Sequence, residues 1–297
     1  MPERILVTGA SGLVGAEVAS VAAAAGYDTI GLGHTHHVPA AVGRVNLDLT
    51  AASALETLRS LQPLSAVAHC AAAVPPSLTG PAAERVARVN EQIDSCIVEF
   101  CRACGIRLVY CSTVSVYGEV AGAVVDEMSP TNPVSPYAIE KLWAERQVRE
   151  KLPSYAILRI CAPYGPAQRQ RTVLRIFVEQ ALAGEDLKYF GSGLRQQDFL
   201  HVHDAALAVL RAIECRDVNG VFNVCAGAPI SMRALAHLIL QETGSQRCAT
   251  ASGDEDPQED YRARFDTGRA TGALGWRPTI SLAEGVRQMV NTLRDAS

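Results

Sequence analysis

The sequence predicts the α/β class, a doubly wound parallel sheet with a smaller, discontinuous C-terminal region, and three observations carry that reading. Short apolar runs at 5–7, 29–32, 66–70, 108–111, 156–160 and 221–224 alternate with segments of helical period, as buried parallel strands do. Between the first two runs Val14, Val18, Val21, Ala22 and Ala25 recur at helical spacing, and Gly26 stops the helix, which makes a right-handed βαβ unit. The 297 residues suffice for about two domains at ~150 residues each.

After residue 160 the texture changes. Turn formers follow in Ala162-Pro163-Tyr164-Gly165-Pro166, then a helix over 174–183 and a polar loop at Gly191-Ser192-Gly193. The sheet pattern returns at 221. An acidic stretch, 253–260, reads as a solvated loop ahead of a last helix over 282–293.

Composition narrows the function. Hydrophobic residues at 48% and charged residues at 20% suit a soluble globular chain and exclude disordered, collagenous and coiled-coil classes. Twenty-seven Lys and Arg stand against 31 Asp and Glu, a net charge of −4 without a long basic block, so no nucleic-acid partner is expected. The nine cysteines are odd in number and scattered through apolar stretches, which suits reduced thiols in the cytoplasm. Cys101 and Cys104 have no second Cys/His pair at zinc spacing, so no metal site is expected. The chain opens on a charged turn and a strand, and no apolar run reaches the ~20 residues of a membrane span, so neither secretion nor membrane insertion is expected.

Thr8-Gly9-Ala10-Ser11-Gly12-Leu13-Val14-Gly15 joins the first strand to the first helix. Its glycines permit a tight turn and bring the N–H groups of a helix N-terminus up to a pyrophosphate, the signature of a dinucleotide site. The candidate cofactor-binding residues are Gly9, Ser11, Gly12, Leu13, Val14 and Gly15, then Gly33 and His34, Asp48 and Leu49, and Ala71. NAD sites place an acid after the second strand to bind the ribose 2′-hydroxyl, but here Leu32-Gly33-His34-Thr35-His36-His37 offers none. That absence tips the expectation to NADP(H), with His34, His36 and Arg44 beside the 2′-phosphate and NAD(H) as the alternative. An exposed polar loop is the alternative reading of the histidines. Asp48 either accepts from the adenine amino group or caps the following helix.

Ser135-Pro136 starts a helix, a capping hydroxyl followed by proline at its first position, and sets Tyr137 and Lys141 one turn apart on one face. A phenol of pKa ~10 needs about 4 kcal/mol of preferential phenolate stabilisation to act as a base near pH 7, which an ammonium and an oxidised nicotinamide can share. Ser112 and Thr113 end a predicted strand nearby.

With these residues in hand, the chain resembles the extended short-chain dehydrogenases/reductases of the NAD-dependent epimerase/dehydratase family over nearly its whole length. The glycine turn, Ser112-Thr113-Val114-Ser115-Val116-Tyr117-Gly118, Tyr137 with Lys141, Tyr164-Gly165-Pro166, Gly191 and Gly193 with Asp198-Phe199, and Gly275-Trp276 with Pro278 fall in the family's order. The resemblance implies that Thr113 polarises the substrate oxygen, that Tyr137 is the general acid/base, and that Lys141 binds the nicotinamide ribose and lowers the tyrosine's pKa. The family's 4,6-dehydratases resemble Thr-Asp-Glu ahead of Val-Tyr-Gly, where this chain has Thr113, Val114 and Ser115, so elimination lacks its acid and base. Decarboxylating members carry Glu at the place of Ser115, and the fucose-pathway epimerase-reductases carry Cys at the place of Val114. Keto-group reduction and 4-epimerisation remain.

The expected substrate is a nucleotide-activated sugar, although Ala162 stands where the family often has Asn and Gln197 where it often has Arg. Thr113, Ala162, Arg195, Gln197 and Arg262 are the candidate substrate-binding residues, with Arg169 and Arg171 either joining them or serving as surface charge. The missing ribose acid makes an NDP-4-keto-sugar reductase the first reading and an NAD-dependent NDP-sugar 4-epimerase its alternative. A non-catalytic NADP-binding redox sensor is the alternative of another class, and the complete Thr113, Tyr137 and Lys141 set argues against it. The expected division is a Rossmann cofactor domain at 1–160 plus about 200–228, with a substrate region at about 161–199 plus 229–297. Helices over 81–104 and 136–151 resemble those through which the family forms homodimers.

Overall fold

A computed structural model of the chain describes residues 2–33, 42–75 and 79–295. The first half runs β1 (Arg4–Thr8), α1 (Leu13–Ala24), β2 (Asp28–Gly33), β3 (Gly43–Asn46), α2 (Ala54–Ser60), β4 (Ala66–His69), α3 (Pro81–Cys104) and β5 (Arg107–Thr113). A 3-10 turn (Val114–Tyr117), β6 (Ala121–Val125), α4 (Pro136–Lys151), β7 (Tyr155–Ile160), β8 (Ala162–Tyr164), α5 (Val173–Leu182) and β9 (Leu187–Tyr189) follow. The chain closes with β10 (Gln196–Gln197), β11 (Phe199–His201), α6 (Val202–Glu214), β12 (Gly220–Val224), β13 (Ile230–Ser231), α7 (Met232–Thr243), β14 (Ala249–Ala251), β15 (Arg262–Phe265), α8 (Gly268–Leu274) and α9 (Leu282–Asp295).

Each of the six apolar runs is a strand of one seven-stranded parallel sheet, ordered β12-β7-β5-β4-β1-β2-β3. The strand order reverses between β1 and β4, and a crevice at that switch point receives ligands in sheets of this kind. Alanine-rich α1 and α6 cover one face through Val18, Ala19, Ala22, Ala205, Val209 and Ile213. On the other face α2, α3 and α4 bury Leu58, Ile97, Phe100, Ala144 and Val148. Small side chains let α1 and α6 lie close together, and a fully buried aliphatic side chain contributes about 1.5–3 kcal/mol to such a layer.

A third apolar cluster joins Tyr164, Leu174, Phe177, Phe199, Leu235, Ile239, Val286 and Met289 from α5, α7, α9 and the short strands beside them. The extreme C-terminal region divides between clusters, because Phe265, Leu274 and Trp276 pack with the sheet and the Trp276 indole donates to the Asp204 carbonyl at 2.9 Å. The 253–260 stretch is the largely exposed loop expected of it, with two of its acids paired. The Asp256 side chain is 4% exposed and accepts from Arg195 Nε at 2.8 Å, while Glu259 closes on Ser192, so part of its charge is taken up by pairing.

Candidate active site

The glycine turn is packed against the end of β4. Gly9 sits at φ +65°, and a Cβ there would lie 2.8 Å from the Ala71 backbone, while a Cβ on Gly15 would lie 2.2 Å from the Gly9 carbonyl oxygen. Only glycine fits either position, and the turn thereby delivers α1 with Gly12 as its N-cap. The first-turn N–H groups, those of Leu13 and Val14 among them, have no partner within the helix, so the turn fits the pyrophosphate of a dinucleotide. Ala71 stands across from Gly9, and its N–H donates to Thr8 Oγ1 at 3.1 Å.

The other cofactor candidates spread along the same edge. Gly33 ends β2 and its carbonyl accepts from Leu47 N–H at 3.2 Å. His34 and His36 lie outside the described residues. Arg44, on β3, donates to Asn46 Oδ1 at 3.0 Å. Asp48 Oδ1 accepts from the Thr50 N–H and hydroxyl at 2.9 and 2.7 Å, a turn ahead of α2, whose N-cap is Ser53 rather than Asp48, and Leu49 is buried in the sheet core.

Ser135 caps α4 by accepting from Ala138 N–H at 3.2 Å, with Pro136 opening the helix, so the sequence signal and the helix start coincide. Thr113 ends β5 and caps the 3-10 turn, its Oγ1 accepting from Ser115 N–H and bonding Ser115 Oγ, both at 3.1 Å. Burial pushes the Tyr137 phenol above its ordinary 10.0, and the Lys141 ammonium pulls it back down. Lys141 therefore acts in the direction expected of it, but burial outweighs it and the chain by itself leaves Tyr137 neutral.

Behind burial come the charges around Lys141, in residues that the spacing of motifs did not single out. Its Nζ is buried, donates to Tyr110 Oη at 2.9 Å and lies 3.4 Å from Asp94 Oδ2. Asp94 also accepts from Tyr110 Oη at 2.5 Å and pairs with His69 Nε2 at 2.8 Å, and His69 Nδ1 meets Thr8 Oγ1 at 2.6 Å. The chain of contacts thus runs from β1 to α4, the helix of Tyr137 and Lys141. Burial works against both charges, yet Lys141 and His69 hold the Asp94 carboxyl below its usual range, and Asp94 with Tyr137 holds the Lys141 ammonium above its own. Glu140 lies beside them with both carboxyl oxygens buried and unpartnered; burial, then the Asp94 charge, push it up to about 9. The sequence signal for Asp94 is an acid on the buried face of a long helix.

A second polar cluster braces the other side of β5. Ser112 Oγ donates to Glu145 Oε1 at 2.6 Å, Arg159 Nη2 to Glu145 Oε2 at 2.6 Å, and the Arg159 guanidinium lies over the Tyr117 ring at 4.7 Å. Tyr117 Oη then donates to Asn223 Oδ1 at 2.7 Å.

The substrate candidates beyond Thr113 lie on or beside short strands outside the sheet, where the Gln196 N–H, between Arg195 and Gln197, donates to the Tyr261 carbonyl beside Arg262 at 2.9 Å. Ala162 begins β8, beside Phe199 of β11, and Gln197 sits on β10 opposite Ile230. Arg195 is committed through Nε to Asp256, and Arg262, on β15, lies 3.6 Å from Asp260. Arg171 pairs with Glu179 on the surface.

The sequence profile of the NAD dependent epimerase/dehydratase family matches residues 5–225. A UDP-glucose 4-epimerase of Mycolicibacterium smegmatis is 31% identical over 99% of this chain and 99% of its own. Among solved structures, the UDP-glucose 4-epimerase of Thermotoga maritima with UDP-glucose superposes with a TM-score of 0.88 at 28% identity, covering 99% of each chain. The Thermus thermophilus UDP-glucose 4-epimerase in complex with NAD gives 0.86 at 27% identity, covering 99% of this chain and all of its own.

Proposed function

The chain belongs to the NAD dependent epimerase/dehydratase family of extended short-chain dehydrogenases/reductases, and from that premise we propose that it is a nucleotide-sugar 4-epimerase working with a resident NAD(H). One observation carries the choice: a strand end with Thr113, Val114 and Ser115, lacking the acid and base of elimination, in a chain alike from end to end to 4-epimerases. The reductase reading rested on the absent acid after Gly33, which nothing else supports. NAD in complex with the Thermus thermophilus relative favours NAD(H) over NADP(H).

A bound NAD+ supplies a reversible hydride acceptor beside the strand ends. Thr113 donates a hydrogen bond to the sugar 4-oxygen. With NAD(H) bound, the Tyr137 phenolate would take the 4-hydroxyl proton as C4 loses hydride, and would return it to the ketone oxygen as C4 regains hydride on its other face, so that no net redox change occurs. Lys141, kept charged by Asp94, stabilises that phenolate.

We take the sugar to lie between the cofactor unit, 1–160 plus about 200–228, and a substrate region, about 161–199 plus 229–297, with Ala162, Gln197 and the arginines Arg195 and Arg262 along it. A cytoplasmic setting is supported by nine cysteines without a disulfide, and a homodimer through α3 and α4 by the exposed Val89 and Ile139 on those helices. Among the described residues no helix is long and apolar enough to cross a membrane.

Denaturing the purified protein and weighing the released nucleotide tests the cofactor half of this reading. NAD is expected. An empty site that prefers NADPH restores the ketoreductase, and binding of neither nucleotide removes the dinucleotide site.

A further inference from the structure

The backbone gathers three side chains that lie far apart in sequence. Val224 of β12 is in register with Ile160 of β7, and Ala162 of β8 is in register with Phe199 of β11, so the residues adjoining these pairs, Cys225, Cys161 and Asp198, meet at one point. Their ligating atoms, two Sγ and a carboxylate oxygen, all lie within 4.8 Å of one another, and all three residues are buried. Among the described residues it is the one place where three such side chains converge. Asp198 Oδ2 accepts from Gly227 N–H at 2.8 Å and the Ala226 and Ala228 amides face the same carboxylate, whereas Oδ1 is buried and makes no well-formed hydrogen bond. Asp198 is 3% exposed. A buried carboxylate oxygen without a well-formed hydrogen bond is costly, and a cation is the partner that two neighbouring sulfurs would share with it.

We propose that Cys161, Cys225 and Asp198 form a binding site for a thiophilic divalent cation of the zinc class, distinct from the cofactor cradle and from the Thr113, Tyr137 and Lys141 set. The donor set is of the right kind: thiolate sulfur selects zinc over magnesium or calcium, and a single carboxylate completes three protein ligands with one position left for water. The size is right as well. Zinc–sulfur bonds of ~2.3 Å in a tetrahedron put two sulfurs ~3.8 Å apart, so the donors need to draw in by about 1 Å at most. Each Sγ–H gives its proton to solvent as the sulfur–metal bond forms, and no electron changes hands. The ion fastens the ends of β7 and β12 to the strand that carries Asp198, where the chain leaves the sheet for the short strands and helices of the third apolar cluster. Zinc-motif spacing along the chain does not reveal such a site, because its ligands come from three separate strand ends.

Full-length, reduced protein titrated anaerobically with Co2+, with Zn2+ then added in competition, tests the site. One Co2+ per chain, a sulfur-to-cobalt charge-transfer band in the near ultraviolet, its loss on Zn2+ addition, and a higher melting temperature with Zn2+ are expected. Cys225→Ser and Cys161→Ser should abolish the band, and Asp198→Asn should weaken Co2+ binding at least tenfold. The other close thiol pair, Cys70 and Cys111 with Sγ atoms 3.5 Å apart, provides the control: the double C70A/C111A variant should keep the band. A wild-type protein without a thiolate–cobalt band overturns the proposal, whatever the variants' folding, as does a band that survives Cys225→Ser or vanishes in C70A/C111A.

Discussion

Two buried polar clusters flank the C-terminal half of β5, and they differ in what they hold. On the α3 side, Thr8, His69, Asp94, Tyr110 and Lys141 form one connected run that ends at α4. On the β7 side, Ser112, Glu145, Arg159, Tyr117 and Asn223 form another that touches Thr113 only through the backbone. The first has a charge aimed at Tyr137 and an acid, Glu140, kept neutral next to it. The second is a buried ion pair in which Arg159 Nε and Nη2 bond Glu145, while Nη1 is buried without a partner. In the proposed mechanism one cluster sets the electrostatics around Tyr137, and the other fixes the strand end that carries Thr113.

The largest effect is expected from Tyr137→Phe, which leaves both clusters in place and removes the proton carrier. Its kcat should fall on the order of 10^4-fold, about 5 kcal/mol of barrier, with the urea midpoint unchanged. Arg159→Met should do the reverse. Stranding the Glu145 carboxylate costs about 3–5 kcal/mol in urea unfolding, while the pH dependence of kcat for the folded fraction stays where it was. If that profile moved, the division of labour between the clusters would be wrong.

Asp94→Asn should change both observables. Losing the partner of Lys141 costs about 2–3 kcal/mol of stability. The Asp94 charge also holds the Tyr137 phenol up, so its removal shifts the acidic limb of the kcat profile to lower pH. Glu140→Gln gives the smallest change and the clearest sign. The folded-state value near 9 lies above the ~4.3 of an unfolded glutamate, so this group's stabilisation is complete below pH ~4.3 and is lost as pH rises toward 9. The variant should be more stable than the parent by about 1–3 kcal/mol at pH 8 and should flatten the decline between pH 5 and 9, as measured by urea unfolding across pH.

How legible each part was follows from its range along the chain. The cradle, the α4 cap and the Tyr137–Lys141 pair are local: strand, glycine turn and helix start occupy consecutive residues, and their backbone requirements are written in Gly9, Gly15 and Ser135-Pro136. Six strands of the sheet were readable because burial on both faces makes each a continuous apolar run, whereas β3, at the edge and largely exposed, carries no such run. The clusters were not, since His69, Asp94 and Lys141 come from β4, α3 and α4 and only the parallel register brings them together. Cys161, Cys225 and Asp198 were hidden for the same reason. Arg195 read as a phosphate ligand, and its commitment to Asp256, 61 residues away, is a pairing that no local pattern announces.

The most direct test of the whole account is turnover of UDP-galactose by the purified protein without added nucleotide, with both hexose epimers followed by chromatography and the near-ultraviolet absorbance recorded. The account predicts many turnovers to a fixed mixture of UDP-glucose and UDP-galactose while the absorbance stays flat. A requirement for one added NADPH per sugar converted would contradict it.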